Sequence, residues 1–164
     1  DPDARAWADA QLEHLRRDHN LHPDPDVLPL IRLVLTVAAR GNAVIVGRAA
    51  GFVLPPETTV HVRVIAPTEA RIAYLAQELR LTRPEAAEEV RARDARRAAF
   101  LDRTLARDAA DPTAYDAVVN SARLGVEGAA QFIGWAVRTK QMFAELAEPS
   151  SQVPFETLDE LTGA

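Results

Sequence analysis

Hydrophobic residues along the chain are spaced in two ways, at helical intervals and in short strand-like runs. Helical spacing extends over residues 4–18, 27–40, 68–80, 83–105 and 124–147. Runs rich in β-branched residues occupy residues 43–47, 59–66 and 115–121. Strands that alternate with helices pair in parallel through crossover helices, so the pattern predicts a helix-rich α/β fold with a parallel sheet.

The first strand-like run is expected to be buried on both faces. Val44, Ile45 and Val46 form a continuous β-branched run, which is typical of a parallel strand covered by helices. Gly47 then permits a sharp turn that presents Arg48 at the carboxyl end of the strand. Open α/β sheets bind ligands at this edge, and a planar guanidinium suits phosphate or a base edge. The alternative is a strand-end glycine beside a solvated arginine.

The second strand-like run alternates strictly between apolar and polar positions. Val60, Val62 and Val64 share one face, and His61 and Arg63 share the other. We therefore expect the face of His61 and Arg63 to be the less buried or partly polar one.

Several residues predict where helices begin and end. Asp26 and Thr68 are candidate N-caps for the helices that follow them. Thr82 and Glu85 form a capping-box pattern at the start of the longest charged helix. Gly41 is suited to the left-handed conformation that ends a helix.

The length and composition favour a single domain. A chain of 164 residues with 48% hydrophobic content can bury a sizeable core. We expect one α/β domain over residues 1–148, with an N-terminal helix and linker over 1–26, a lid-like helical region over 83–107, and a tail over 149–164.

The charge and the cysteine content of the chain argue against several classes of function. A net charge of −5 argues against general affinity for nucleic acid or an anionic membrane. The absence of cysteine excludes disulfides and fits a cytoplasmic location. No apolar run reaches the roughly 18 residues that a membrane span needs. His14, Asp18 and His22 are spaced four apart, as on one face of a helix. The predicted first helix ends near Asn20, so His22 does not share that face and no metal site is predicted.

Four segments carry a resemblance to a known family. They read GNAVIVGRAAGF (41–52), HVRVIAPTEARI (61–72), VRARDARRAAFL (90–101) and DPTAYDAVVNSARLGVEGAA (111–130). In this order they resemble the cytidylate kinase-like family of P-loop nucleoside monophosphate kinases, over about residues 27–138. The resemblance implies a three-layer P-loop-kinase-like fold, and transfer of a phosphoryl group from ATP, with Mg²⁺, to CMP or a related nucleoside monophosphate.

The resemblance also implies an acceptor site around the first Gly-Arg turn. Gly47, Arg48 and Gly51 match the segment that holds the nucleoside monophosphate, with Arg48 as the contact residue. Cytidylate kinases follow this arginine with an aspartate that helps to read cytosine. Ala49 stands at that position here, which puts the base preference in question.

The run VRARDARR matches the lid of the resembled kinases. Arg93 and Arg96 are implied as catalytic residues that neutralise the transferring phosphates, and Asp94 as a substrate-binding residue. Arg97 stands where cytidylate kinases carry a second aspartate that holds ribose. Arg71, early in the helix after the second strand, is implied as a contact for the donor nucleotide.

Structural explanations compete with these roles. Glu89 and Arg93 lie at i,i+4 spacing and would form a surface ion pair on a solvated helix. Arg71 is explained equally well by helix solubility. Asp116 is expected to orient a turn rather than to bind a ligand, and Trp135 to pack rather than to stack on a base.

The phosphate-binding unit of the family is missing from the sequence. No G-x-x-x-x-G-K-[ST] motif occurs, and Lys140, the one lysine, lies late in the last helix. In the resembled fold the P-loop strand lies between the strands expected at residues 43–47 and 59–66. Three explanations remain open: the chain is a fragment, as a first residue other than Met suggests; a partner supplies the strand, as in a homodimer; or the sheet has closed over the gap.

Two functions follow from these alternatives. Either the chain is most of a kinase that is inactive alone, or it is a degenerate kinase-like domain that acts in nucleotide binding, regulation or dimerisation. Direct pairing of residues 43–47 with 59–66 would favour the degenerate domain, and an open gap would favour truncation.

Overall fold

The described chain consists of helices arranged around a short parallel sheet. The computed structural model describes residues 2–18 and 26–147, so the predicted tail and residues 19–25, including His22, lie outside it. The helices are α1 (Pro2–Asp18), α2 (Leu28–Ala38), α3 (Ala50–Val53), α4 (Thr68–Leu79), α5 (Arg83–Leu105) and α6 (Ser121–Ala147). The strands are β1 (Val62–Ile65) and β2 (Ala117–Asn120), and a 3₁₀ turn covers Pro112–Ala114.

The sheet confirms two of the three predicted strands and their parallel direction. β1 and β2 pair in parallel, with Val62 opposite Ala117 and Ile65 opposite Asn120. The crossover between them runs through α4 and α5, as expected for an α/β unit. Both strands are shorter than the predicted runs because pairing extends only over the four residues that each contributes.

The predicted strand at residues 43–47 is wrong. Residues 43–46 are not paired into a sheet, and the side chains of Val44 and Val46 are 95% and 88% exposed. A β-branched run becomes a buried strand only where neighbouring strands satisfy its backbone groups. Within residues 2–18 and 26–147 the sheet consists of β1 and β2, so residues 43–46 do not pair with β1.

The face of His61 and Arg63 is partly polar, as predicted, but it is not less buried than the opposite face. His61 and Arg63 are half-buried, as are Val60 and Val62, and Val64 is 55% exposed. The reason is tertiary: the rings of Phe52 and Tyr115 lie against His61, and Arg63 lies over Tyr115. His61 and Arg63 therefore contact side chains that are distant in the sequence.

Two separate apolar clusters hold the helices. The main core joins α1, α2, α3 and the end of α5, and its buried residues are Ala8, Leu12, Leu15, Val27, Ile31, Val34, Leu35, Ala50, Val53, Leu101 and Leu105. The lid core joins α4 to the start of α5 through Ile72, Leu75, Ala86 and Val90. Helix α5 contributes to both clusters, one at each end.

The helix boundaries confirm some capping predictions and overturn others. Thr82 and Glu85 form the predicted capping box, and Gly41 takes the left-handed conformation (φ 68°) after α2. Asp26 and Thr68 are not N-caps: Val27 and Pro67 occupy those positions, without a side-chain hydrogen bond. A proline in or just before the first turn has its φ angle restricted near the helical value, so the helix can begin there without a side-chain cap.

Helix α6 begins three residues earlier than predicted and is kinked at Gly125, whose φ is 71°. Trp135 is 70% exposed, so the prediction that it packs is wrong for the described part of the chain. Within that part, no helix combines the length and apolar character that crossing a bilayer requires.

Candidate functional site

The turn that carries Arg48 has an unusual backbone. Gly47, Arg48 and Ala49 have φ values of 75°, 59° and 54°, so three consecutive residues occupy the left-handed region just before α3. For residues with a Cβ this region costs on the order of 1 kcal/mol or more each, and such strain concentrates at functional sites. The Arg48 side chain is exposed and makes no hydrogen bond or ion pair with another described residue.

Gly51 is required by a close contact with His61. A Cβ at Gly51 would lie 1.9 Å from Cδ2 of the His61 ring, far inside van der Waals contact. The ring has little freedom to move aside, because Phe52 meets it edge-on at 4.8 Å between centroids and Tyr115 lies at 4.5 Å. Gly51 therefore lets α3 dock against the residue that precedes β1.

His61 is held by backbone and side-chain hydrogen bonds. Its Nδ1 donates to the Ala114 carbonyl oxygen at 2.8 Å, and its backbone N–H donates to Asp116 Oδ2 at 2.6 Å. Burial lowers the pKa of the imidazole below its ordinary value, against the opposing effects of the Ala114 carbonyl and the Asp116 carboxylate. The neutral ring is thus the form that this site favours.

Asp116 and Lys140 tie the last helix to the start of β1. Lys140 Nζ donates to Asp116 Oδ1 at 2.8 Å and to the Thr59 carbonyl oxygen at 2.7 Å. Partial burial acts to raise the pKa of the Asp116 carboxyl, but the hydrogen bonds from Lys140 and the His61 N–H prevail and lower it. Asp116 thus joins elements that are distant in the sequence rather than a local turn, and Lys140 is engaged in the same structural tie.

Arg71 and Asp94 form a bidentate ion pair between α4 and α5. Arg71 Nη1 and Nη2 donate to the two Asp94 carboxylate oxygens at 2.8 and 2.7 Å. These hydrogen bonds lower the pKa of Asp94 and raise that of Arg71. Arg97 Nη1 approaches Asp94 Oδ1 at 3.5 Å, so two arginines share this carboxylate.

The two arginines implied as catalytic meet a different carboxylate. Arg93 Nε donates to Glu89 Oε1 at 2.7 Å, and Arg96 Nη2 donates to the same oxygen at 3.2 Å. The hydrogen bond from Arg93 is the main reason why the pKa of Glu89 is lowered. The predicted Glu89–Arg93 pair is confirmed. The structure thus brings Arg93 and Arg96 together, on a face of α5 that differs from that of Asp94.

The described residues do not by themselves fit magnesium or a nucleotide triphosphate. Among them, no group of three or more His, Asp or Glu side chains is arranged to hold a metal ion. Lys140 is already hydrogen-bonded to Asp116 and Thr59. The guanidinium groups can pair with phosphate, but the backbone cradle that P-loop proteins use has no counterpart in the sequence.

Sequence reasoning missed two residues that the structure places beside the predicted ones. Arg63 Cζ lies 5.7 Å from the centroid of the Tyr115 ring, and its charge contributes to lowering the pKa of Asp94. Tyr115 donates a hydrogen bond to the Ala109 carbonyl oxygen at 3.0 Å. The alternation of β1 put Arg63 on a polar face, but nothing in the sequence indicated that this face meets Tyr115 and Asp94.

Sequence comparisons with known proteins identify the family of the chain. The chain is 33% identical over 111 residues to a protein named cytidylate kinase from Ignicoccus hospitalis, and the match covers 67% of this chain. It spans 64% of that relative's length. No solved structure matches. The sequence profile of the cytidylate kinase-like family matches residues 7–123, which adds most of α1 to the segment that carried the resemblance. This match spans well over half of the chain, and the chain therefore belongs to the cytidylate kinase-like family.

Proposed function

We propose that this chain is the acceptor and lid part of a nucleoside monophosphate kinase. In the complete protein the reaction would be transfer of the γ-phosphoryl group of ATP to CMP or a related monophosphate. The observation that carries the proposal is the strained Gly47–Arg48–Ala49 turn, which presents an arginine without a partner among the described residues. Family membership supplies the reaction class.

Arg48 is the proposed contact for the acceptor phosphate. A guanidinium with no carboxylate partner can donate two parallel hydrogen bonds to a phosphate without first breaking an ion pair. The left-handed turn fixes the direction in which the chain leaves residues 43–46, so Arg48 stands at a defined point rather than along a flexible loop. Gly51 supports this position by allowing α3 to dock on His61.

Arg93 and Arg96 are the proposed lid residues. Both donate to Glu89 on an exposed face of α5, where water screens the ion pairs and keeps them weak. A transferring phosphoryl group concentrates more negative charge than one carboxylate and would compete for both guanidinium groups. Asp94 and Arg71, as proposed substrate and donor contacts, lie on the neighbouring face of the same helix pair.

The proposal requires that ATP and Mg²⁺ be held by residues outside the described part of the chain. Residues 43–46 do not pair with β1, and this favours a strand supplied from elsewhere over a sheet that closed on itself. Positioning and electrostatic stabilisation supply most of the acceleration of phosphoryl transfer. We therefore expect negligible turnover from this chain alone.

Calorimetry of the 164-residue chain against CMP tests the acceptor site. Arg48→Gln should weaken CMP binding about tenfold, because it removes charge-assisted hydrogen bonds to the phosphate. Arg40→Gln, which changes another exposed arginine, is the matched control and should leave the affinity unchanged. Equal affinity of the Arg48→Gln variant and the parent chain would contradict the proposal. Titration with UMP and AMP in parallel reports the base preference that Ala49 leaves open.

A second candidate function is a non-catalytic domain that acts in dimerisation or regulation. The observation that favours it is the exposure of Val44 and Val46 on an unpaired extended segment, which a second copy could cover. Light scattering distinguishes the two: a concentration-dependent dimer that Val44→Asp disrupts supports this candidate. A monomer that binds CMP through Arg48 supports the kinase part.

A further inference from the structure

The inward stripe of α5 is interrupted by two charged residues. Val90 and Leu101 are buried, and Asp94 and Arg97 continue the same 4-3-4 spacing between them. The Glu89 side chain, which receives Arg93 and Arg96, is 31% exposed, against 44% for Asp94 and 66% for Arg97. The middle of the helix therefore carries charged, partly solvent-exposed side chains on the stripe whose two ends are buried and apolar.

Three arginines from three elements converge on this interruption. Arg71 of α4 binds Asp94 at 2.7 Å, Arg97 of α5 approaches it at 3.5 Å, and Arg63 of β1 acts on the same carboxylate electrostatically. Arg63 and Arg97 also act together on the Tyr115 hydroxyl, which places both of them near that ring. These three arginines are referred to below as the arginine cluster.

The arginine cluster holds three positive charges around one hydrogen-bonded carboxylate. Asp108 and Asp111 act on the Tyr115 hydroxyl beside it. A bound phosphate monoester would supply about −1.5 to −2, more than the single charge of Asp94. Arg63 donates no hydrogen bond to any side chain in residues 2–18 and 26–144, so its donors are available to a ligand. Arrangements of this kind recognise phosphate through several charge-assisted hydrogen bonds.

We propose that Arg63, Arg71 and Arg97 form a phosphate-binding site, and that the Asp94 carboxylate occupies this site when no ligand is bound. The proposal rests on the proposed function, in which the phosphate belongs to a nucleotide. It adds Arg63 and Arg97 to the binding residues and gives Asp94 the role of an internal anion. The ligand displaces Asp94 from Arg71 because a phosphate brings three acceptor oxygens and a larger charge.

The partial exposure of the pair makes this exchange feasible. The Arg71 and Asp94 side chains are 32% and 44% exposed, so solvent reaches the ion pair and screens it. A fully buried pair would lose much more on separation, because each charge would be left uncompensated.

The test measures binding of inorganic phosphate and of CMP to the 164-residue chain by calorimetry and by ³¹P NMR. Arg63→Gln and Arg97→Gln should each weaken binding of both ligands about tenfold, the loss expected for a charge-assisted hydrogen bond. Arg91→Gln, which removes an exposed arginine paired with Glu88 on the same helix, is the matched control and should change neither affinity. Unchanged affinities in Arg63→Gln and Arg97→Gln would overturn the proposal.

The Asp94→Asn variant distinguishes two roles for Asp94. Asp94 is either an anion that competes with phosphate for the arginine cluster or a partner in a purely structural ion pair. If Asp94 occupies the site, the variant should bind phosphate severalfold more tightly, because the competing charge is gone. Weaker binding by a variant with a native circular dichroism spectrum would overturn that role. Weakening by Arg91→Gln equal to that of Arg63→Gln would indicate general attraction to arginine-rich surface and would also overturn the site.

The same titrations distinguish this proposal from the kinase function. CMP binding that depends on Arg48 but not on Arg63 or Arg97 would leave the proposed function standing and reject the arginine cluster. Phosphate binding that depends on Arg63 and Arg97, with CMP no tighter than inorganic phosphate, would support the cluster and reject nucleotide recognition.

Discussion

The main core and the lid core are held together by different forces. The main core buries eleven apolar residues from four helices, with Leu35 wholly enclosed. The lid core buries four, with Ala76, Leu81 and Ala87 partly buried against them, and two ion pairs, Arg71–Asp94 and Arg83–Glu69, add to the contact between α4 and α5. Exposed ion pairs contribute little to the free energy of unfolding, so the lid is expected to open locally while the main core stays folded.

This difference in packing matches the different roles proposed for the two regions. The main core anchors α3 and the end of α5, and through α3 it sets the position of the Arg48 turn. The lid carries Arg93, Arg96 and Asp94 on a helix whose first half has a small apolar contact. The proposed function would require a fixed acceptor site and a mobile lid, and the larger apolar burial lies on the side of the proposed acceptor turn.

The largest expected effect is in the main core. Leu35→Ala removes a side chain with no exposed surface and should lower the free energy of unfolding by about 2–5 kcal/mol. Urea denaturation followed by circular dichroism measures the change. Leu33→Ala, on the exposed side of the same helix, is the control and should cost no more than about 0.5 kcal/mol. Similar losses in the two variants would contradict the assignment of the main core.

Gly51→Ala tests the junction between α3 and β1. The added Cβ overlaps the His61 ring, which Phe52 and Tyr115 hold in place, so we expect a loss of about 1–3 kcal/mol in the free energy of unfolding. Gly134→Ala, in α6 with nothing within 4 Å, should instead stabilise the protein by about 0.5–1 kcal/mol. The same sign for both substitutions would show that the His61 contact is not as close as described.

Thr82→Ala tests whether the lid opens separately. It removes the capping box of α5 and should cost about 1 kcal/mol. Hydrogen exchange should accelerate in α4 and the first half of α5, with little change in α1 and α2. Thr68→Ala, at a helix start where no side-chain cap exists, should leave exchange unaltered. Uniform acceleration across all helices would mean that the lid and the main core unfold together.

The smallest expected effect is on the pH dependence of stability, which should differ between the sheet region around His61 and the lid. The pKa of His61 is lowered in the folded protein, so its contribution is complete above the unfolded value of about 6.5 and is lost as the pH falls through the folded value. The pKa of Asp94 is also lowered, so its contribution persists above about 3.9 and is lost only at lower pH.

Urea denaturation and hydrogen exchange between pH 7 and pH 3 test this order. We expect the sheet region around His61 to weaken first, and the lid to weaken in the acid range where Glu89 also becomes protonated. His61→Asn should remove the change near neutral pH and leave the acid change in place. A lid that loosens at pH 6 while the sheet region stays protected would contradict this order.

Local patterns in the sequence predicted the parts of the fold that depend on neighbouring residues. The helices, the capping box at Thr82, the left-handed Gly41 and the Glu89–Arg93 pair follow from spacing along one helix or at its end. Such interactions form between residues close together in the sequence, so the local sequence specifies them without tertiary partners.

The tertiary structure decided everything that depends on distant partners. Residues 43–46 had the composition of a buried strand but remain unpaired, with Val44 and Val46 exposed and Ile45 half-buried against the main core, because a strand needs a neighbour that the described chain does not offer. The half-buried face of β1 was set by Tyr115, more than fifty positions away. The pairing of Asp94 with Arg71 likewise required α4 to pack on α5, and no spacing within α5 could indicate it.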